Sequence, residues 1–142
     1  MSDIPHSILL VDDDLEDQGI IADAFREIGV VNGLFFESNG EKALAFMERQ
    51  FSRQAMPRLI VLDLNMPKMN GTEVLRFLKS DARFKEIPVI IYSTALNMRE
   101  KTECLNLGAF SYIIKPVSYR ESIDRAQLFY DLSTGEISTA GI

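Results

Sequence analysis

Two short apolar runs in this chain end on carboxylates. Ile8, Leu9, Leu10 and Val11 lead into Asp12, Asp13 and Asp14, and Leu59, Ile60, Val61 and Leu62 lead into Asp63. Each run has the length of a buried strand, and in open α/β sheets ligands bind in the crevice outside the strands' carboxyl ends. Carboxylates delivered there by two strands raise one another's pKa, so they do not all stay ionised unaided. A hard divalent cation relieves that conflict. Mg²⁺ suits the task, because it takes oxygen ligands in near-octahedral geometry, keeps several waters and is commonly held by one or two carboxylates beside a phosphate. Asp13 and Asp63 are the candidate ligands, with the backbone carbonyl of Asn65 as a third and Asp12 acting through water. Without Asp63, the acids 12–14 read as a solvated loop that caps the next helix.

Five apolar runs alternate with helical patterns, the signature of an α/β fold with a five-stranded parallel sheet and helices on both faces, a doubly wound arrangement. Strands are expected at 7–12, 34–38, 58–63, 89–93 and 111–114, and helices at 16–28, 41–50, 72–80, 98–107 and 119–132. The first helix turns Ile20, Ile21, Ala24, Phe25 and Ile28 inward and stops at Gly29, a residue type suited to a helix C-terminus. The second turns Ala43, Leu44, Phe46 and Met47 inward, and the third Val74, Leu75 and Leu78. Ser118 followed by Glu121 has the spacing of a capping box for the last helix. Residues 51–57 read as a surface loop or a helix extension. Residues 1–132 are expected to form one domain, and 133–142 a frayed tail with no output domain after it.

Composition narrows the function classes. A chain of 142 residues with 46% hydrophobic and 25% charged content has the make-up of one soluble globular domain. The net charge of −6 argues against nucleic acid or an anionic membrane, for which a basic patch is the footprint. Cys104 is the single cysteine, so no internal disulfide forms and a reducing cytoplasm is expected. No leader pattern or membrane-spanning apolar run is present. His6, the only histidine, precedes the first strand and reads as incidental.

Four segments in order resemble the receiver domains of two-component response regulators, the single-domain chemotaxis-type regulators in particular. The acidic pair is Asp12 and Asp13, and the phospho-accepting aspartate is Asp63, in the segment that runs through Asn65, Pro67 and Lys68 to Gly71. The hydroxyl after the fourth strand falls on Ser93, and the lysine on Lys115, ahead of Pro116. The resemblance implies a flavodoxin-like sheet of order 2-1-3-4-5. It also implies Mg²⁺-dependent transfer to Asp63 from a sensor histidine kinase or a histidine phosphotransfer protein. Such a stand-alone phosphoacceptor has only self-phosphorylation and self-dephosphorylation chemistry. Its output is a contact with a downstream protein, or a self-dimer, through the face spanning 98–132.

The residues suit those roles. Catalysis of phosphoryl transfer is mostly positioning and neutralisation of charge on the equatorial oxygens. The cation, the Lys115 ammonium, and the Ser93 hydroxyl with backbone amides near Ser93 and Thr94 would each cover one oxygen. Tyr112 falls where the family carries an aromatic switch, expected to swing into space left when Ser93 moves toward the phosphoryl group. The residue after the hydroxyl is usually small in this family, and here it is Thr94. Either Thr94 is itself the hydroxyl switch, or it crowds the acyl phosphate; counting from Pro88 favours Ser93.

Two other functions compete. A Mg²⁺-dependent phosphohydrolase working through an aspartyl phosphate needs an acid two residues past the nucleophile, and Asn65 stands there. A phosphorylation-independent interaction module would more naturally lack one of Asp13, Asp63 or Lys115. All three are present.

Overall fold

The structure, a computed structural model, describes residues 7–135. His6 and residues 136–142 lie outside the described residues. In chain order the elements are β1 (Ile8–Val11), α1 (Leu15–Glu27), β2 (Leu34–Glu37), α2 (Gly40–Ser52), β3 (Leu59–Leu62), α3 (Gly71–Ser80), β4 (Val89–Ser93), α4 (Met98–Leu107), β5 (Ser111–Ile114) and α5 (Tyr119–Thr134). All pairings are parallel and the sheet order is β2-β1-β3-β4-β5.

Both faces of the sheet are covered, which is why β1 and β3 are apolar without alternation. Successive residues serve opposite layers. Leu9, Val11, Ile60 and Leu62 pack with Ala43 and Met47 of α2, Leu75 and Leu78 of α3 and Cys104 of α4. Ile8, Leu10, Leu59 and Val61 pack with Ile21 and Phe25 of α1 and Ala126 and Phe129 of α5. The α1 and α5 helices close the second layer against each other.

Helix starts are set locally by side-chain caps. Asp14 accepts from the amides of Glu16 and Asp17, and Asn39, Asn97 and Ser118 cap α2, α4 and α5. The reciprocal capping box lies at Asn70 and Glu73 of α3. At Ser118 only half of the expected box forms: its oxygen accepts from the Glu121 amide, while its hydroxyl reaches the Glu121 carboxylate at 3.2 Å.

Several boundaries differ from expectation. Ile20 is 41% exposed, because the stripe of α1 that meets the sheet and α5 centres on Ile21, Ala24 and Phe25. The segment 51–57 divides: α2 continues to Ser52 and the chain then turns through Gln54, whose φ is 56°. The expected tail begins too early. Ser133 is buried and its hydroxyl donates to the Tyr130 carbonyl at 2.8 Å, so α5 runs to Thr134 and is capped at Gly135 with φ 85°.

Gly71 opens α3 against the backbone of the acidic edge. A Cβ there would lie 2.3 Å from the Asp63 carbonyl oxygen and 2.7 Å from Leu64 Cα. Backbone cannot swing aside as a flexible side chain can. We expect Gly71→Ala to cost about 1–3 kcal/mol in urea unfolding, the range for overpacking. Gly19 is the control: a Cβ there meets nothing within 4 Å. Gly19→Ala should instead stabilise by roughly 0.5–1 kcal/mol, as expected for an open helix interior.

Candidate functional site

The sheet order reverses between β1 and β3, the switch point at which doubly wound folds open a crevice. Both acidic segments emerge there. Val11 and Leu62 are register partners, and the Asp63 amide donates to the Val11 carbonyl at 2.9 Å. Asp12 and Asp63 therefore leave the sheet side by side. Lys115 joins from β5, its amide bonded to the Ser93 carbonyl at 2.7 Å.

One carboxylate oxygen from each of Asp12, Asp13 and Asp63 lies within 4.8 Å of the others. This hard, all-oxygen donor set suits Mg²⁺. Asp13 is exposed, whereas Asp63 is only 5% exposed. The crevice position expected for Asp63 is therefore a nearly closed one, with the carboxylate sealed beneath its neighbours. Asn65 is exposed and its amide makes a long 3.4 Å contact with Asp63 Oδ1.

Lys115 does not hydrogen-bond Asp63. Its ammonium donates to Asp12 Oδ2 at 2.6 Å and to Asp17 Oδ2 at 2.9 Å, with Asp63 Oδ1 at 3.9 Å. The expected partnership with Asp63 is thus one of proximity. Asp17 was missed, although a signal existed. It lies one helical turn before Ile21 and two before Phe25, so it places a carboxylate on the buried stripe of α1. Gln18 Nε2 donates to the Asp12 carbonyl at 2.6 Å, and the Lys115 ammonium stands 5.9 Å from the centre of the Tyr92 ring.

Burial pushes the Asp63 carboxyl up to about 6, more than the nearby Lys115 charge can offset, with Asp12 and Asp13 adding to the rise. Burial also raises Asp12, against its hydrogen bonds from Lys115 and the Asp14 amide. For Lys115 burial works downward, but the hydrogen bonds to Asp12 and Asp17 outweigh it and hold the ammonium above the ordinary lysine range. The site is a cation enclosed by carboxylates, with more negative charge than it can balance.

Ser93 and Tyr112 meet on one acceptor. The Ser93 hydroxyl donates to the Ala95 carbonyl at 3.2 Å and the Tyr112 hydroxyl to the same oxygen at 3.1 Å. Ser93 is 1% exposed and Tyr112 8%. The Tyr112 ring is thus buried, with its hydroxyl held at the β4–α4 connection. Thr94 is exposed, one residue past β4.

A profile of the response regulator receiver domain matches residues 8–127. The chain belongs to the receiver family. It is 33% identical over 109 residues to the chemotaxis protein CheY1 of Helicobacter pylori, covering 77% of this chain and 84% of that protein. To response regulator Rcp1 of a Synechocystis it is 30% identical over 128 residues, 89% of this chain and 87% of the relative. Among solved structures it resembles the phosphorylated cyanobacterial phytochrome response regulator RcpA, with a TM-score of 0.82 at 29% identity over 94% of this chain and 96% of the other. The Mn²⁺-bound form of Rcp1 gives a TM-score of 0.81 at 26% identity over 94% and 98%. This receiver domain is a signalling module of the two-component type, and among the described residues no helix is long and apolar enough to cross a membrane.

Proposed function

We propose that Asp63 accepts a phosphoryl group from a phosphohistidine of a sensor kinase or histidine phosphotransfer protein, in a Mg²⁺-dependent transfer that switches a protein-interaction face. The observation that carries this reading is the Lys115 ammonium 3.9 Å from Asp63 Oδ1, at an edge where three carboxylates stand within 4.8 Å. One Asp63 oxygen bonds to phosphorus as the phosphorus–nitrogen bond breaks, and the imidazole leaves with the electron pair. A bound Mg²⁺ would supply positive charge for the phosphoryl oxygens, held by Asp12, Asp13 and Asp63 with the Asn65 carbonyl. Lys115 serves a second oxygen as a point charge, and the Ser93 hydroxyl with the amides near Thr94 a third. Neighbours described as phosphorylated and as Mn²⁺-bound support both parts of the reading. Asn65 has no proton to give a leaving group, which weighs against turnover of small phosphate esters.

The switch runs through the shared Ala95 carbonyl. When Ser93 turns to the phosphoryl group, that oxygen keeps Tyr112 as its remaining donor, and the β4–α4 connection repacks around one bond instead of two. Phosphorylation then biases two packings of one surface. The face made by α4, β5 and α5 meets a downstream protein or a second copy. CheY1 and Rcp1 match over most of their own lengths, which supports a regulator acting through its own surface. A net charge of −6 disfavours nucleic acid as the target, and the single cysteine is consistent with the cytoplasm.

The test is incubation with Mg²⁺ and a small acyl phosphate, followed by intact mass. We expect the native protein to gain one phosphoryl group, and Asp63→Asn or chelated native protein to gain none. An unmodified native protein, or equal modification of the variant, overturns the reading.

A further inference from the structure

Among the described residues three carboxylates stand around Lys115, and only two of them belong to the group able to hold a metal. Asp12 and Asp63 do; Asp17 does not. A lysine ammonium has three N–H donors. Asp12 takes one at 2.6 Å and Asp17 another at 2.9 Å. Asp63 Oδ1 at 3.9 Å is too far for a direct bond. The gap suits an oxygen of a group attached to Asp63, which the third donor would meet.

The two anchors differ in what they can keep doing. A cation drawn to Asp12 competes with Lys115 for the same carboxylate. Asp17 has no such competitor. It is also well seated, since its amide is bonded to the Asp14 cap at 3.2 Å and α1 packs against α5 below it. The cleft that holds the Lys115 side chain is lined by Asp17, Ile21 and Tyr92.

Resting on the phosphoacceptor reading above, we infer that Asp17 is a positioning residue for phosphoryl transfer, holding the Lys115 ammonium in place when Asp12 turns to the metal. In the transfer from a small acyl phosphate, an Asp63 oxygen bonds to phosphorus, the phosphorus–oxygen bond of the donor breaks, and the carboxylate leaves with the electron pair. Asp17 touches none of these atoms and acts only through Lys115.

The experiment measures the rate of Asp63 phosphorylation at saturating Mg²⁺ for the native protein, Asp17→Asn and Asp17→Glu, with thermal unfolding of each. We expect Asp17→Asn to unfold near the native temperature and to react about tenfold more slowly, with Asp17→Glu recovering most of the rate. A deficit that appears only below saturating Mg²⁺ and vanishes at saturation would make Asp17 a mere source of negative potential, and overturn the inference. So would an unchanged or faster rate, or a loss shared by Asp17→Glu. If the native protein takes no phosphoryl group, the phosphoacceptor reading falls and Asp17's role with it. If the native protein is modified and Asp17→Asn matches it, only the role of Asp17 falls.

Discussion

Lys115→Met should lower the stability of the metal-free protein by about 3 kcal/mol near pH 8, the low end for removing one member of a buried ion pair. Methionine keeps the stem that lies beside Tyr92 and deletes the ammonium. Asp12, Asp17 and Asp63 then face one another without a cation. The loss should shrink as the pH falls. Lys115 stays protonated throughout this window, because its pKa is raised in the fold and its contribution disappears only at pH values above the ordinary lysine range. The pH dependence therefore comes from the carboxylates. Without Lys115 the pKa values of Asp12 and Asp63 rise further, the fold binds protons more tightly than the unfolded chain, and acid recovers stability. Urea unfolding of native and variant protein between pH 5 and 8 checks this. A loss independent of pH would mean that removing the ammonium leaves the carboxylates' pKa values where they were.

Asp63→Asn should do the opposite to stability while abolishing phosphorylation. The Asp63 pKa rises from an ordinary 3.8 to about 6 in the fold. Between those values the folded state holds a proton that the unfolded chain has lost, so this group's contribution falls as pH rises through the window and stays low above it. At about 1.4 kcal/mol per unit, the neutral amide should make the metal-free protein more stable by about 1–3 kcal/mol at pH 8. Near pH 4 native and variant should converge. Saturating Mg²⁺ should close the gap at pH 8, since a cation that binds only the folded native site stabilises it by mass action. Equal native and variant stability at pH 8 without metal would show that Asp63 carries no desolvation cost.

These effects oppose each other because the site holds more carboxylate than it can neutralise. Asp63→Asn relieves the excess, whereas Lys115→Met exposes it. A stabilised fold with a dead phosphoacceptor is the expected cost of building chemistry into a buried edge.

Much of this arrangement was legible in local pattern. The apolar runs before Asp12 and Asp63 end where periodicity and turn chemistry end a strand, whereas Ser93 and the lysine before Pro116 are ordinary strand-end residues that only the resemblance to the receiver family singled out. Asp17 carried only a faint signal as a site residue, because an acid in a first helical turn is ordinary. Only its place on the stripe of Ile21 and Phe25 marks it. The seating of Tyr112 was also hidden, since a side chain's rotamer is decided by the Ala95 carbonyl that meets it. Likewise Gly71 read as the end of a loop, and its necessity lies in the approach of the Asp63 backbone.

The sequence by itself determined five strands, five helices and the edge to which the acids are delivered, because residue spacing dictates which face of an element is apolar and where it stops. Tertiary structure alone decided that Lys115 binds Asp12 and Asp17 while Asp63 waits at 3.9 Å. Hydrogen bonds form or fail over a fraction of an ångström. That choice depends on how α1 seats against α5 and the sheet, a sum of contacts that no local spacing encodes.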